Sequence, residues 1–345
     1  MSYKVRQSNF ELLRIVAMFM VMMLHVNFLA LGKPSVEDAG SAPLATFTRI
    51  LFEVMSVGSV DLFVLISGWF GIKANRKSLF TFIFQVVFVI YSVSIVCLLL
   101  NKDNSLGGGK IVEIITCRSW FVQAYLGLYL LSPALNLLVE KSKHLHKMML
   151  IGWLSFEFVY DFASPDPRLF DGGYSTLHFV ALYLLARYIK LYGVSNILRK
   201  YAGSLFVLVS LFVAGCMFML IKTGHGLCHL NSYTSPFVMF LAIMLLIKTD
   251  SIHIQSKAVN RIGAALFAVY LVHIHTLVLG TFFLTWAKDI YCSFSGIAYL
   301  VIITCYMVAW YILAIVVDYI RQTAWHFIYN KSKSLYAKRK LDRLG

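Results

Sequence analysis

The chain has 345 residues, of which 59% are hydrophobic and 14% are charged. Soluble domains contain roughly 45–50% apolar and about 25% charged residues, so this composition excludes a soluble globular protein and indicates a chain that crosses a membrane several times. The formal net charge of +15 could suggest nucleic acid. The basic residues are instead distributed as membrane topology requires, and we expect no nucleic-acid partner.

Apolar windows of about 20 residues are typical of transmembrane helices, and ten such windows predict an all-α, polytopic helical bundle with about ten spans. The predicted spans are residues 10–31, 51–72, 79–100, 118–139, 148–162, 176–192, 203–221, 235–247, 262–285 and 297–320. The first window is too long for a cleaved signal peptide, and we expect it to remain as the first span. Residues 1–320 are predicted to form one membrane domain, and residues 321–345 a basic cytoplasmic tail that lies on anionic lipids.

The lysines and arginines predict the orientation of this bundle. Ten spans place both termini on the same side of the membrane. If that side is the cytoplasm, 22 of the 31 basic residues lie in inside segments and eight in outside loops, while Arg14 lies within the first span. Cytoplasmic loops carry an excess of lysine and arginine, so both termini are predicted to be cytoplasmic.

Arg14 and His25 lie 11 residues apart in the first predicted span. At about 100° per residue this step returns to within roughly 20° of its starting face, about 16 Å further along the axis. We therefore expect both side chains on one stripe. Ionisable residues inside a membrane are costly and by default indicate a functional site. The alternatives are an Arg14 that only snorkels to the surface and a His25 that only packs. Glu11 is expected to pair with Arg14.

The second predicted span carries Asp61, which needs a partner inside the membrane. His25 or a hydroxyl is the expected partner, because a carboxylate that orients a histidine raises its basicity. A purely structural hydrogen bond is the alternative. Ser67 and Gly68 in the same span predict close helix packing or approach of the backbone to a ligand.

Lys73 and Arg76 follow the second span at the predicted cytoplasmic surface. They either set the topology or hold the phosphates of a nucleotide-bearing donor. In the ninth window Tyr270 and His273 are three residues apart and share a helix face, which indicates a polar cavity. The cluster of His225, Cys228 and His229 lacks a second ligand pair with zinc spacing, so no metal site is predicted.

Two of these segments carry a family resemblance. The motif ELLR, at residues 11–14, is followed by ten residues and His25, and the second span contains DLFVLISG at residues 61–68. In these motifs, and in SWFVQAYLGLYLLSP, GYSTLHFVALYLLARYIK and RIGAALFAVYLVHIH, the chain resembles the acyltransferase 3 family of bacterial integral-membrane O-acyltransferases. The resemblance implies transfer of an acyl group, often acetyl, from cytoplasmic acyl-CoA to a hydroxyl of a glycan or similar acceptor.

The resemblance also implies roles for these residues. His25 matches the essential histidine of the family and Arg14 its partner arginine, and we place Glu11 and Asp61 with them in the catalytic set. The predicted donor-binding residues are Arg14, Ser67, Lys73, Arg76, Tyr270 and His273. The family often has two arginines after its Ser-Gly segment, whereas this chain has Lys73 and Arg76, which changes the expected donor geometry.

The sequence therefore predicts an O-acyltransferase, in the simplest case an O-acetyltransferase, of the bacterial cytoplasmic (inner) membrane. His25 would be a general base or a transient acyl carrier. The expected partners are acyl-CoA as donor substrate, a surface or lipid-linked glycan, membrane lipids and a second copy of the chain, with no tightly bound cofactor. The alternatives are a proton-coupled transporter or flippase whose intramembrane polar residues line a path, and an inactive sensory or anchoring module.

Overall fold

A computed structural model describes residues 6–100, 108–116, 119–164, 169–227 and 229–341, and the described part of the chain is helical without β-strands. Its α-helices are α1 (Ser8–Leu24), α2 (Val36–Ser41), α3 (Pro43–Val57), α4 (Ser59–Phe70), α5 (Arg76–Leu100), α6 (Gly108–Thr116), α7 (Trp120–Lys141), α8 (Lys143–Glu157), α9 (Thr176–Tyr192), α10 (Asn196–Lys222), α11 (Pro236–Asp250), α12 (Lys257–His273), α13 (Leu284–Ser293) and α14 (Gly296–Leu341). Short π-helical turns are found at His25–Leu29, Phe158–Phe162 and Leu279–Phe283, and a 3₁₀ turn at Asp171–Gly173.

The helices have the length and composition of a multi-pass membrane protein. Among the described residues, six segments are long and apolar enough to cross a bilayer: Ser8–Leu29, Pro43–Phe70, Arg76–Leu100, Ile111–Lys141, Asn196–Lys222 and Gly296–Phe327. The helices α8, α9, α11 and α12 occupy four more of the predicted windows but contain only 15 to 17 residues each. The bundle exposes many large apolar side chains on α5, α10 and α14, as a lipid-facing surface requires.

The ninth predicted span is not one continuous helix. The window 262–285 contains the end of α12 at His273, a non-helical turn and the π-helical turn that leads into α13. In this turn the Nδ1 of His275 accepts a hydrogen bond from the backbone N–H of Leu277 at 3.2 Å, while its Nε2 lies 3.1 Å from the Ile90 carbonyl oxygen. A side chain that binds a backbone N–H in this way competes with the helical ladder, and the helix stops there.

Two other windows differ in their bounds. The second, 51–72, is the C-terminal part of α3 followed by α4, with a break at Gly58. The last, 297–320, belongs to α14, which continues as a helix through Leu341. The predicted tail thus begins as an extension of the last helix, and its residues 342–345 lie outside the described residues.

The helix α1 packs against four others, namely α3, α4, α11 and α12. A close helix–helix contact joins two other helices, α4 and α9. Here Gly68 meets the backbone of Tyr183 and the side chain of Ala186. A Cβ at Gly68 would lie 2.8 Å from both the Tyr183 carbonyl oxygen and the Ala186 Cβ. The close approach predicted for Ser67-Gly68 is therefore a helix–helix contact.

We expect Gly68→Ala to destabilise the bundle. Backbone atoms of α9 cannot yield to the added methyl, and overpacking of this kind costs about 1–3 kcal/mol. Gly215→Ala is the matched control, because a Cβ there meets open space and alanine favours the helix by roughly 1 kcal/mol. Thermal unfolding in detergent, followed by size-exclusion chromatography, should give a lower midpoint for Gly68→Ala alone. Equal midpoints would contradict the packing described for α4 and α9.

Candidate active site

One face of α1 lines two cavities in succession. We call them the Arg14 cavity, of about 310 Å³, and the His25 cavity, of about 610 Å³, after one residue of α1 and one of the π-helical turn that continues it. The first contains Arg14, Met18 and Val21 of α1. The second contains His25 and Phe28. Steps of four and three residues follow one helical stripe, so Arg14 and His25 share a face, as their spacing predicts.

Arg14 is held by a buried carboxylate. Its Nη1 lies 2.7 Å from Oε1 of Glu11, whose side chain is 6% exposed, and Nη1 of Arg6 lies 3.7 Å from the same oxygen. Glu11 fits here because Gly263 of α12 carries no side chain, and a Cβ at that position would collide with the Glu11 carboxylate. The Arg14 side chain remains 28% exposed. The predicted pair is therefore present, and it leaves the guanidinium accessible to an anion.

His25 contacts the second histidine that the sequence singles out. Its Nδ1 lies 3.0 Å from Nε2 of His273, and Nδ1 of His273 lies 2.6 Å from the Val269 carbonyl oxygen. His273 is the last residue of α12, and His25 is the first residue of the π-helical turn after α1. Turns of this kind inside helices are frequent at functional sites.

The Arg14 cavity is walled by hydroxyls and aromatic rings. Ser67 donates to the Phe63 carbonyl oxygen at 2.8 Å, and its Oγ lies 3.2 Å from the Tyr125 hydroxyl. The Tyr270 hydroxyl lies 3.0 Å from Oγ of Ser119. Of the predicted donor-binding residues, Arg14, Ser67 and Tyr270 thus line one cavity, together with the predicted catalytic residue Glu11.

Lys73 and Arg76 lie at the same end of the bundle as Arg14, since α4 ends at Phe70 beneath the Arg14 guanidinium, 5.9 Å from the ring centroid. We call this end the basic end. Both side chains are exposed there and lie outside the described lining of the Arg14 cavity.

The loop that carries Lys73 and leads to Arg76, the first residue of α5, is fixed by hydrogen bonds from two other helices. The backbone N–H of Ile72 donates to the Tyr183 hydroxyl at 3.0 Å, and Nδ2 of Asn136 donates to the Ile72 carbonyl at 2.9 Å. The N–H of Asn75 donates to the Tyr129 hydroxyl at 2.9 Å. Lys73 therefore extends from an ordered loop at the rim, and Arg76 from the start of α5.

Asp61 does not contact His25, and the expected pairing of these two residues is wrong. Its Oδ1 lies 3.2 Å from Nε2 of His178, and the other nitrogen of that ring, Nδ1, contacts the Glu157 carboxylate. All three side chains are fully buried. The expectation failed because the partner comes from α9, 117 residues away, and spacing within one span cannot reveal it. Glu157, a second carboxylate inside an apolar window, was the available signal.

The His25 cavity has polar walls that sequence reasoning missed. Glu53 of α3 is 5% exposed, and its Oε2 accepts a hydrogen bond of 2.9 Å from Nδ2 of Asn27. Tyr174 and Tyr233 line the same cavity, with ring centroids 5.0 Å apart. Burial raises the pKa of the Tyr233 phenol well above its ordinary value, so this hydroxyl stays protonated. A carboxylate inside the second window was the signal for Glu53.

Of the remaining histidines, His229 also lines the His25 cavity, whereas His275 lies outside the described lining of both cavities. His275 is held in the α12 turn and lies 3.1 Å from Oγ of Ser94. Within the described ranges no group of three or more His, Cys, Asp or Glu side chains is arranged to hold a metal ion. Cys228, the centre of the cluster considered in the sequence, lies outside the described residues.

Comparison with known proteins supplies one match. Residues 7–319 match a family model of the acyltransferase 3 type, described as an acyltransferase domain. That range includes both cavities and nearly all of the described helices. Neither a curated protein nor a solved structure matches the chain.

We expect Asp61→Ala to destabilise the protein without abolishing the chemistry at the two cavities. Removal of one partner from a buried ionic cluster costs about 3–5 kcal/mol. Asp250→Ala is the control, because Asp250 pairs with Arg199 in a partly exposed ion pair, and such pairs contribute roughly 0–1 kcal/mol. Thermal midpoints and activity per folded molecule should be measured together. An Asp61→Ala protein as stable as wild type but inactive would place Asp61 in the reaction instead.

Proposed function

The chain belongs to the acyltransferase 3 family, and we propose that it is a multi-pass membrane O-acyltransferase that moves an acetyl group from acetyl-CoA to a hydroxyl of a surface or lipid-linked glycan. The observation that carries this proposal is the single α1 stripe, which passes from Arg14 in one cavity to His25 in the next. This stripe supports the proposal because it aligns a cation and an imidazole, about 16 Å apart along the axis.

In the proposed orientation ten crossings leave both termini in the cytoplasm of a bacterial cell, with the protein in its inner membrane. The basic end of the bundle then faces the cytoplasm, in agreement with the excess of lysine and arginine in inside segments. The Arg14 cavity opens toward the cytoplasmic acyl-CoA pool, and the His25 cavity opens toward the opposite side. Donor and acceptor thus approach the reaction from the two faces of the membrane.

The donor site combines the Arg14 cavity with the basic rim. About 310 Å³ is at the lower end of the volume range of small-molecule sites, so the cavity suits the narrow pantetheine arm and leaves the nucleotide outside. Lys73 on its fixed loop and Arg76 at the start of α5 supply positive charge for the phosphates of the nucleotide. Arg14, whose guanidinium is oriented by Glu11, binds an anionic or carbonyl oxygen of the donor. Ser67 and Tyr270 offer hydroxyls to the amide groups of the arm.

The acceptor site is the larger His25 cavity. The rings of Tyr174 and Tyr233 offer apolar faces to a sugar ring, while the Glu53 carboxylate accepts hydrogen bonds from sugar hydroxyls. Trp120 supports the two tyrosines from behind, with ring centroids 4.5 Å and 5.9 Å away. His25 lines this cavity, where the reacting hydroxyl would be bound.

The transfer needs no reactant other than the thioester donor and the hydroxyl acceptor. The hydroxyl oxygen attacks the thioester carbonyl carbon, the new C–O bond forms, the C–S bond breaks, and the hydroxyl proton ends on the thiol of coenzyme A. His25 serves either as the base that moves this proton or as a nitrogen nucleophile that carries the acyl group between the two cavities.

The rival function is a proton-coupled transporter or flippase. It is favoured by the two cavities at successive levels of α1 and by the fully buried cluster of Asp61, His178 and Glu157, since buried ionisable groups are typical of proton paths. The two functions differ in a simple property, because a transporter in detergent releases no thiol from acetyl-CoA.

We expect His25→Ala to lower acetyl transfer by about 100- to 10,000-fold, the usual contribution of a general base. Transfer is measured as radiolabel from acetyl-CoA that enters the lipid and glycan fraction of inside-out vesicles from cells that express the protein, and as thiol release by the purified protein. His144→Ala, at an exposed position of α8, is the control and should behave as wild type. Full activity of His25→Ala would overturn the proposed function, and wild-type protein without thiol release would favour the transporter.

We expect Arg14→Gln to raise the KM for acetyl-CoA by about 10- to 100-fold, because a charge-assisted hydrogen bond contributes roughly 1.5–3 kcal/mol. Arg14→Lys keeps the charge but not the forked geometry, and its KM should fall between those of wild type and Arg14→Gln. Arg199→Gln, which changes an arginine outside the Arg14 cavity, serves as the control. Unchanged KM values in both Arg14 variants, in the same vesicle assay, would exclude Arg14 from the donor site.

A further inference from the structure

The hydrogen bonds around His25 and His273 determine where the protons of both rings lie. The Nδ1 of His273 is 2.6 Å from the Val269 carbonyl oxygen. A carbonyl oxygen only accepts hydrogen bonds, so Nδ1 of His273 must carry a proton and donate it. Among the described residues no carboxylate forms an ion pair with His273, which is 1% exposed. A buried ring without such a partner is neutral, and its Nε2 is therefore an acceptor.

The protonation of His25 follows from that of His273. Its Nδ1 lies 3.0 Å from the His273 Nε2, which has a lone pair but no proton. If Nδ1 of His25 also lacked a proton, two lone pairs would face each other at hydrogen-bond distance. Nδ1 of His25 must therefore be the donor. In the neutral ring this leaves the lone pair on Nε2.

The positions of the two rings support a role for His273 in orienting His25. His25 lines the cavity assigned to the acceptor, whereas His273 lies behind it, with its ring 5.3 Å from Phe283 and 6.1 Å from Tyr270 between centroids. His273 is thus packed in place and bonded to the backbone of its own helix. A neighbour that holds one imidazole nitrogen selects the tautomer and orientation of the ring.

We propose that His273 is a positioning residue that fixes His25 as the Nδ1–H tautomer and leaves Nε2 as the reacting nitrogen. This inference rests on the proposed function and replaces the donor-binding role that the sequence suggested for His273. The lone pair on Nε2 suits a general base and a nucleophile alike, and the general-base route needs no acyl-imidazole intermediate.

The step is then as follows. Nε2 of His25 takes the proton of the acceptor hydroxyl while its oxygen bonds to the thioester carbon. The C–S bond breaks, and the imidazolium returns that proton to the departing thiolate. Throughout the step Nδ1–H of His25 stays bonded to Nε2 of His273, so His273 neither gains nor loses a proton.

Two substitutions at position 273 separate this role from a structural one. The amide of glutamine reaches about as far as the Nε2 of histidine, so His273→Gln can accept the proton of His25 Nδ1 but loses the Val269 bond. The shorter amide of asparagine corresponds in reach to Nδ1, so His273→Asn keeps the Val269 bond but removes the acceptor. A purely structural role would favour asparagine or harm both variants equally. A tautomer-fixing role favours glutamine.

We expect His273→Asn to lower kcat by about 100-fold or more, since a wrongly oriented catalytic histidine is almost inactive, with the KM for acetyl-CoA unchanged. His273→Gln should keep kcat within about tenfold of wild type, because the glutamine amide still accepts a hydrogen bond from His25, although a less well matched one. Both are measured in the vesicle assay, per folded molecule from thermal unfolding. Equal kcat values in the two variants, or a higher kcat for asparagine, would overturn the inference.

The control variant His25→Ala distinguishes the two levels of the proposal. If His25→Ala is fully active, the proposed function fails. If His25→Ala is inactive while His273→Asn matches wild type in kcat, the proposed function stands and only the role of His273 is overturned.

Discussion

The requirement that every polar group inside a bilayer find a partner organises this bundle. Water cannot satisfy such groups within the hydrocarbon region, and each unsatisfied group costs several kcal/mol. Polar contacts therefore join α1 to its neighbours. Glu11 lies in the space left by Gly263 of α12, and His25 bonds to His273 at the end of the same helix. Asn27 bonds to Glu53 of α3. These contacts set the level of α1 relative to α12 and α3, and with it the positions of the two cavities.

Two departures from regular α-helix lie beside the contact between His25 and His273. The regular α1 helix gives way to a π-helical turn at His25, and α12 ends at His273. A hydrogen bond marks the second of these departures, because the Nδ1 of His275 accepts the N–H of Leu277 just after the end of α12. The irregular backbone thus flanks the two imidazoles that contact each other.

The sequence predicted what depends on a single helix. The 11-residue spacing placed Arg14 and His25 on one face, and Glu11 was correctly paired with Arg14 because three residues separate neighbours on a helix surface. The windows located most helices, since apolar length is a local property. The prediction that failed concerned a contact between residues far apart in the sequence. Asp61 pairs with His178, which follows 117 residues later, and periodicity contains no information about which helices are adjacent. The break in the ninth window depends on His275, which binds backbone groups. The apolar residues on both sides of His275 conceal this break in the sequence.

Buried polar side chains differ in whether they keep an atom that faces a cavity. This difference explains why some buried charges belong to the scaffold. His178 has both ring nitrogens engaged by carboxylates, and Asp61 lies outside the described lining of either cavity. The His178 ring therefore has no free nitrogen for a substrate, and the Asp61 carboxylate faces neither cavity. Arg14 keeps an exposed part of its guanidinium, and His25, with Nδ1 occupied, keeps Nε2. A buried residue is suited to chemistry if one partner offsets its desolvation and one of its atoms still faces a cavity without a partner. By this criterion Arg14 and His25 are the side chains open to a ligand, while α4, α8 and α9 hold the frame around them.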